Sequence, residues 1–450
     1  VQGGLHNSLV RALAELGQAD EFGATVPSLY VLNVACPLVP EELIAFCEAK
    51  RAVLVVEEGQ PEFIEQEIAA ILRRHGSAAT LHGKDLLPMA GEYTVEVVAA
   101  GLAAFLSRHA PELPIAEGRA WLDGIAARRA AVARELAAPL PARPPQFCTG
   151  CPERPVFAAL KLLQQETGRL HIAADIGCHS FATFEPFNSG HTILGYGMSL
   201  ASRAGVSPML ERRTLAIMGD GGFWHNGLLS GVQSALFNGD DAVLLIMKNG
   251  YTSATGTQDI LSTPAEERKA QADDKAASLV HTNVAIERTL QGMGVEWLRV
   301  VDSYRVDEMR AVLAEALATD YAGLKVIVAE GECQLERQRR QKPWLAAKAK
   351  AGKRTVRVKY GVDEDVCSGD HSCIRLSGCP TLSLKESPDP LRPDPVATVL
   401  DGCVGCGLCG ENAHAAALCP SFYRGEVVRN PNWRDRLGAR VRRAVIGLLQ

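Results

Sequence analysis

Cysteine is the residue through which this chain declares its chemistry. Thirteen occur in 450 residues, and seven of them crowd into positions 367–419. The second half of that crowded stretch reads CVGCGLCGENAHAAALCP: Cys403, Cys406 and Cys409 at C-x2-C-x2-C spacing, then Cys419 followed by Pro420. Three thiolates at this spacing wrap one face of an iron–sulfur cubane, and a fourth Cys before Pro ligates the other cluster in two-cluster ferredoxins. The tight wrap calls for small residues, which Gly402, Gly405, Gly407 and Gly410 supply. The first half, CSGDHSCIRLSGCP, holds Cys367, Cys373 and Cys379, with Asp370 where a middle cysteine is expected. Crossed ligation then gives one cluster on Cys379, Cys403, Cys406 and Cys409. The other falls on Cys367, Cys373, Cys419 and, as a fourth ligand, Asp370. A carboxylate is harder than a thiolate and holds iron less tightly. The expectation is a labile corner: a four-iron cluster with Asp370 as ligand, or a three-iron cluster beside a plain surface aspartate.

A second pair, Cys148 and Cys151 in CTGCP, begins as a zinc knuckle, a redox pair or half of an iron–sulfur site begins. Cys36 and Cys47 stand apart and are expected as buried small hydrophobes.

The third chemical signal is LAIMGDGGFWHNGLLSGVQSALFNGDDAVLLIMKNGY. It reads as a strand ending at Met218, a turn of Gly219, Asp220, Gly221 and Gly222, and a helix with Leu228, Val232, Leu236 and Phe237 on one face. A second strand ends at Met247, and Lys248 and Asn249 follow it. Asp220 and Asn249 then share the carboxyl edge of a parallel sheet, where ligands bind in such folds. Mg²⁺ wants hard oxygen ligands and commonly bridges phosphates. Glycines in the turn admit backbone N–H groups to a diphosphate, and the helix dipole favours it. The expected ligand is thiamine diphosphate with Mg²⁺; the alternative is an ordinary βαβ turn with a solvated Asp220.

The elements that must hold these residues are α/β throughout. RLHIAADIG, RTLAIMGDGG, DAVLLIMKNG and LKVIVAEGE are candidate strands of a doubly wound parallel sheet over 146–340. Residues 1–112 alternate short apolar runs with helical stretches. ATVPSLYVLNVACPLVP reads as ending in a strand and turn, Ala52–Val56 as a strand, and Val97–Leu106 as a core helix. Residues 113–145 read as a helical linker ending in PLPARPPQ, and 341–362 as a basic linker, with a solvated helix as the alternative for the basic run LERQRRQKPWLAAKAKAGKR. Residues 363–425 are too few for a core without a metal staple. The last 25, 426–450, read as a basic amphipathic tail that packs on its own protein or on a partner.

Net charge is −5, with 22% charged and 47% hydrophobic residues. Nothing in that balance points to nucleic acid. No apolar run approaches the about 20 residues that a membrane span needs, and no signal sequence opens the chain. A cytoplasmic location is therefore expected. The chain begins at Val1 rather than Met, so a fragment or a processed protein is expected.

FCTGCPERP, ADIGCHSF, MGDGGFWHNG, KNGYTSATGTQ and the ferredoxin-like end, in this order, resemble the 2-oxoacid:ferredoxin oxidoreductases, and within them the indolepyruvate branch. The resemblance covers nearly the whole chain. It implies that Cys148, Cys151, Cys178 (in the Gly177–Cys178 turn) and Cys333 hold a cluster beside the thiamine, with zinc as the alternative for four thiolates. It implies Mg²⁺ ligation by Asp220, Asn249 and the main-chain carbonyl of Tyr251, and it puts His225 beside the cofactor. Residues 1–112 resemble a transketolase-C-like domain. The implied activity is oxidative decarboxylation of a 2-oxoacid, an aryl pyruvate such as indolepyruvate, to its acyl-coenzyme A and CO₂. Electrons pass through three clusters to ferredoxin or a similar acceptor. Pyruvate or a branched-chain 2-oxoacid is the alternative substrate, and a non-catalytic electron-transfer module the alternative of another class. The pyrimidine-binding half of the thiamine site is expected from a missing N-terminal region or another subunit, in a homo- or hetero-oligomer. Thr257 departs from the His or Gly that relatives often carry there.

Overall fold

The computed structural model describes residues 1–136, 144–263, 284–387, 389, 391–392 and 394–449. The chain divides into two compact units, Val1–Ala142 and Arg143–Gln450.

In the first unit, α1 (His6–Glu15), α4 (Val95–His109) and α5 (Ala116–Glu135) share one apolar core, built on Leu9, Leu13, Val98, Leu102 and Leu106. α2 (Pro40–Cys47) and α3 (Phe63–His75) enclose a second, against β1 (Ala52–Leu54) and β2 (Thr80–His82), which pair in parallel. α4 is the expected core helix. Three expectations change here. The helix of the presumed linker is packed: Ile115, Trp121 and Leu122 join the α1–α4 core, so α5 belongs to this unit. The proline-rich end of that stretch falls largely on 137–143, outside the described residues. The strand expected in ATVPSLYVLNVACPLVP is reduced to two isolated bridges, Thr25 with Ala19 and Leu32 with Gln2. Cys36, in the bends that follow, is exposed, whereas Cys47 is buried. A short chain segment between two bends has no second layer to cover its thiol.

The second unit is built on a parallel sheet of β3 (Ile172–Ala173), β4 (Leu215–Gly219), β5 (Val243–Lys248), β8 (Trp297–Asp302) and β9 (Lys325–Glu330), ordered β3-β4-β5-β9-β8. Its central strands are buried on both faces, which is why they read as unbroken apolar runs. Alternate residues serve two cores. Leu215, Ile217, Val243, Leu245 and Ile327 face α6 (Glu153–Thr167) and α11 (Val306–Ala318). Ala216, Met218, Leu244, Ile246 and Val328 face α7 (Ser199–Val206), the helix after β4, and α10 (Ile286–Gly292). The sheet is doubly wound, as its sequence pattern implies.

The helix after β4 starts as α8 (Asp220–Gly222), continues as a π-helix through Phe223–Gln233, and ends as α9 (Ser234–Phe237). π-Helical segments are rare and occur often at functional sites. Leu228, Val232 and Leu236 pack on the core, but Phe237 is 89% exposed. One position past Leu236, at the helix end, its side chain has turned off the buried face. β6 (Tyr251–Thr252) and β7 (Gln258–Asp259) form a small hairpin after β5.

The expected basic linker is regular structure. α12 (Gln334–Lys350) leaves β9 after Cys333, and β10 (Thr355–Val362) pairs antiparallel with β13 (Phe422–Arg429). Of the two readings of this basic stretch, the solvated helix describes α12, which buries only Gln334 and Glu336 and carries no apolar stripe; β10 lies outside both. Between β10 and β13 lie α13 (Ser372–Ser377), β11 (Leu382–Lys385), β12 (Val396–Val399) and α14 (Leu408–Ala417), with β11 and β12 antiparallel. The segment is two strand–helix–strand repeats. Leu376 of α13 and Leu408 of α14 enter the same core as α6 and α11. The tail forms a helix, α15 (Trp433–Leu449), beginning after the first residues of 426–450 complete β13; it buries no residue. Among the described residues, no helix is long and apolar enough to cross a membrane.

Candidate functional site

β4 and β5 run in register, with Gly219 opposite Met247, so the residues just beyond them meet at one sheet edge. Asp220 is 1% exposed there. Its Oδ1 accepts from Gly221 N at 3.0 Å, and its Oδ2 accepts from Asn249 N at 2.9 Å and Gly250 N at 2.7 Å. Burial nevertheless pushes its carboxyl up to about 7. A carboxylate that its surroundings leave short of positive charge fits a divalent cation. Asn249, also buried, turns its Oδ1 to Tyr251 N and Ser253 Oγ at 3.2 and 2.8 Å. The Tyr251 carbonyl accepts from Ser253 Oγ at 3.3 Å. Asp220, Asn249 and the Tyr251 backbone therefore lie on one short stretch of edge.

The Asn249 amide also links this edge to the cysteine loop. Its Nδ2 donates to Glu153 Oε1 at 3.1 Å, and Glu153 opens α6, two residues past Cys151. Glu153 is buried, and its Oε2 has no hydrogen-bond partner. Burial first, and the charge of Asp220 second, raise its carboxyl to about 8. His179 Nδ1 stands 4.0 Å from Glu153 Oε2; burial pushes this imidazole down to about 4, and its Nε2 is unpartnered.

Cys151 and Cys333 are buried, Cys178 half-buried and Cys148 exposed. Desolvation drives the Cys178 thiol far up, and Glu153, Cys151, Cys333 and Cys148 push it further, so all four sulfurs are within electrostatic reach of one another. Desolvation likewise raises the Cys409 thiol, and Cys406, Cys379 and Cys403 add to the effect. These four line one small void together with Arg154 and Tyr360. Cys373, raised by burial to about 11, feels Cys367, Cys419 and Asp370. The two repeats place matching donors: Thr381 Oγ1 lies 3.2 Å from the Cys379 sulfur and Ser421 Oγ 3.2 Å from that of Cys419. Asp370 is exposed, and its carboxylate accepts from Ser372 N at 3.3 Å and Ser372 Oγ at 2.6 Å. Among the described residues, no group of three or more His, Cys, Asp or Glu side chains is placed to hold a metal ion. A cubane holds its thiolates apart around a core of iron and sulfide. Cys379, Cys403, Cys406 and Cys409, which share a void without meeting at a point, suit such a core.

His225 is exposed, with its ring 5.0 Å from that of Tyr196. The Tyr196 hydroxyl lies 3.1 Å from Thr252 Oγ1. Sequence reasoning missed Glu153, Arg154, Asp175, His179, Tyr196 and Gly197. Asp175 is fully buried and accepts from Gly197 N, 2.7 Å to Oδ1 and 2.8 Å to Oδ2. Only the charged pair directly after CTGCP could have signalled any of these, since charge beside a cysteine loop at a helix start invites a role. Gly197 has φ +78, and a Cβ there would lie 2.6 Å from Gly222 O and 2.8 Å from Gly227 N. Gly197→Ala therefore meets backbone on two sides as well as a left-handed conformation. Denaturant titration should show a loss of about 2–4 kcal/mol, the sum of both penalties.

Thr257 is fully buried at φ +64, a left-handed conformation unusual for a β-branched residue. Its Oγ1 donates to Glu336 Oε2 at 2.8 Å and accepts from Arg339 Nη1 at 2.9 Å. α12 thus pins the hairpin beside the sheet edge.

Residues 175–329 match the thiamine pyrophosphate enzyme C-terminal TPP-binding domain. Over 411 residues the chain is 30% identical to indolepyruvate oxidoreductase subunit IorA of Archaeoglobus fulgidus, covering 89% of this chain and 57% of that one. The chain is similar to this subunit over most of its own length. The corresponding subunit of Pyrococcus abyssi is 29% identical over 420 residues, 90% of this chain and 57% of the relative. The chain thus spans somewhat over half the length of these relatives. Among solved structures, a 2-oxoglutarate:ferredoxin oxidoreductase from Magnetococcus marinus aligns with a TM-score of 0.36 and 16% identity, over 44% of this chain and 66% of that chain.

Proposed function

We propose that the chain carries the diphosphate-and-Mg²⁺ half of a thiamine site, wired to iron–sulfur clusters, in a cytoplasmic 2-oxoacid:ferredoxin oxidoreductase. The observation that carries this reading is the hydrogen bond from Asn249 Nδ2 to Glu153 Oε1. It ties the edge that suits Mg²⁺ and diphosphate to the first turn of the helix that follows Cys148 and Cys151.

Asp220, Asn249 and the Tyr251 carbonyl would hold Mg²⁺, and the N–H groups of the glycine turn, at the positive end of the helix after β4, would meet the diphosphate. Thiamine diphosphate, when bound, supplies the electron sink for decarboxylating a 2-oxoacid. Cys148, Cys151, Cys178 and Cys333 would hold the first cluster. Cys379, Cys403, Cys406 and Cys409 would hold the second, and Cys367, Cys373 and Cys419 the third. Such clusters, when bound, accept electrons one at a time. Tyr304, whose hydroxyl donates to the Gly150 carbonyl, stands within electrostatic reach of both Cys151 and Cys406. His225, though exposed, is proposed to border the cofactor through its contact with Tyr196.

The substrate we favour is an aryl pyruvate, indolepyruvate first, with coenzyme A taking the acyl group and a ferredoxin-type protein the electrons. A pyrimidine-binding domain from elsewhere in an oligomer, a transketolase-C-like role for the first unit, and a ferredoxin-like role for the cysteine-rich repeats belong to the same proposal. Anaerobic metal analysis of the assembled enzyme tests it: about 12 irons per chain are expected for three clusters, or 11 if one is three-iron. Zinc in place of iron would overturn the relay. A substrate panel with viologen reduction separates indolepyruvate from pyruvate and branched-chain 2-oxoacids.

Asp370 gives a further expected result. Its carboxylate is engaged by Ser372, so the third cluster is proposed to have three firm thiolates. Air-exposed protein should then show the EPR signal of a three-iron cluster. Asp370→Cys, which supplies a fourth thiolate, should remove that signal and raise the iron count by about one per chain. An unchanged spectrum in that variant would count against the labile corner.

A further inference from the structure

The first turn of α6 holds a charge that the protein leaves unanswered. Arg154 is completely buried, at 0% exposure. Its Nη1 donates to the carbonyl of Ser377, the last residue of α13, at 2.9 Å. Its Nε and Nη2 have no partner. A buried guanidinium without a counter-charge is strongly unfavourable, and Glu153 beside it in sequence turns to Asn249 instead.

What surrounds Arg154 is sulfur. It lines the void that Cys379, Cys403, Cys406 and Cys409 share. Thr149, between Cys148 and Cys151, lines the same void. The loops that carry the two sulfur groups meet at this point. Gly150, between Cys148 and Cys151, has φ +77, and a Cβ there would lie 2.5 Å from Val404 Cγ2, between Cys403 and Cys406. The Tyr304 hydroxyl donates to the Gly150 carbonyl and closes the same junction. Cys367, Cys373 and Cys419 do not line this void.

We infer that Arg154 is the common counter-charge of two sulfur groups, Cys148/Cys151/Cys178/Cys333 and Cys379/Cys403/Cys406/Cys409, and favours the reduced state of the cluster bound at each. The inference rests on the reading that both groups hold iron–sulfur clusters. Four thiolates give each site a net negative charge, and a one-electron reduction adds one more. A fixed cation buried between the two stabilises both added charges, because little water is present to screen it. Arg154 is thus a positioning residue of the relay: it touches neither substrate nor thiamine, and it sets how readily each of two neighbouring sites takes an electron.

The test is an anaerobic reductive titration of the assembled enzyme with dithionite, followed by EPR. Signals are assigned with Cys151→Ala for the first cluster and Cys406→Ala for the second. In Arg154→Met the equilibrium constant for reducing each of these two clusters should fall about tenfold, a shift of about 59 mV for one electron. The third cluster should not shift. Arg154→Lys, which keeps the charge, should retain both wild-type values. Arg154→Met with its iron intact and neither cluster shifted, or all three shifted equally, overturns the inference. If the Met variant loses iron, Arg154→Lys decides. Retained iron at wild-type values supports a charge role. Iron lost from the same two sites in both variants makes Arg154 a clamp on Ser377 and overturns it. Wild-type protein that holds no iron refutes the cluster reading itself, which is a separate result.

Discussion

Asp220→Asn abolishes saturable binding of Mg²⁺ with thiamine diphosphate and lowers 2-oxoacid-dependent viologen reduction by the assembled enzyme about 10³-fold or more. The size follows from the cation. A bound metal that neutralises a diphosphate is worth several kcal/mol, and each 1.36 kcal/mol is about tenfold. The Asn variant is more informative than Ala. Three backbone donors, from Gly221, Asn249 and Gly250, end on the Asp220 carboxylate. Removing both oxygens strands buried N–H groups at about 1–3 kcal/mol each and threatens the edge itself. Asn keeps the volume and one acceptor oxygen, so the fold should survive while the charge is lost. Burial already holds the Asp220 carboxyl at about 7, which shows how poorly the protein alone supports that negative charge. Isothermal titration with thiamine diphosphate and Mg²⁺ checks the binding, and circular dichroism checks the fold. Wild-type affinity in a folded Asp220→Asn protein would remove Asp220 from the site.

The parts of this protein that a sequence displays are those where chemistry or burial restricts the residue type. LAIM, VLLIM and KVIVA stand out because β4, β5 and β9 are apolar on both faces, as only interior strands are. β8 escaped notice because it is the edge strand: WLRVVD buries only Trp297 and Val301 fully, and Arg299 breaks the apolar run. α12 was legible only as a linker or a solvated helix, and β10 was not seen as a strand, for a related reason: α12 is mostly exposed and β10 half-buried along its length. The ligand candidates were legible because thiolates and hard oxygens have few substitutes and their spacing is fixed by the turn that carries them. Glu153, Arg154 and Asp175 were not. Charged residues are almost never fully buried without a partner, so nothing local marks them out. Their burial is decided by what packs over them: Ser377 over Arg154, and Gly197 over Asp175, both distant in sequence.

The second large effect concerns the sulfur loop, and it separates the relay from the thiamine site. Cys151→Ala should lower the iron content by about four per chain and reduce electron delivery to viologen about 100-fold or more, beyond the usual penalty for disturbing an outer-shell partner of a metal. Binding of thiamine diphosphate with Mg²⁺ should persist, because none of the groups facing Asp220 or Asn249 is a cysteine side chain. The contrast matters because Glu153 stands between the two sites. Asp220 raises the Glu153 carboxyl, and Glu153 in turn raises the thiols of Cys151 and Cys178. The sites are therefore electrostatically coupled without sharing a side chain, and a cluster variant should shift thiamine affinity slightly rather than abolish it. Cys36→Ala is the matched control: that thiol is exposed and lies in the first unit, outside every sulfur group, so iron, binding and rate should all stay at wild-type values. If Cys151→Ala keeps its full iron content and electron delivery, the loop is structural. Loss of a single zinc, with redox activity unchanged, would identify the four thiols as a closed zinc site instead.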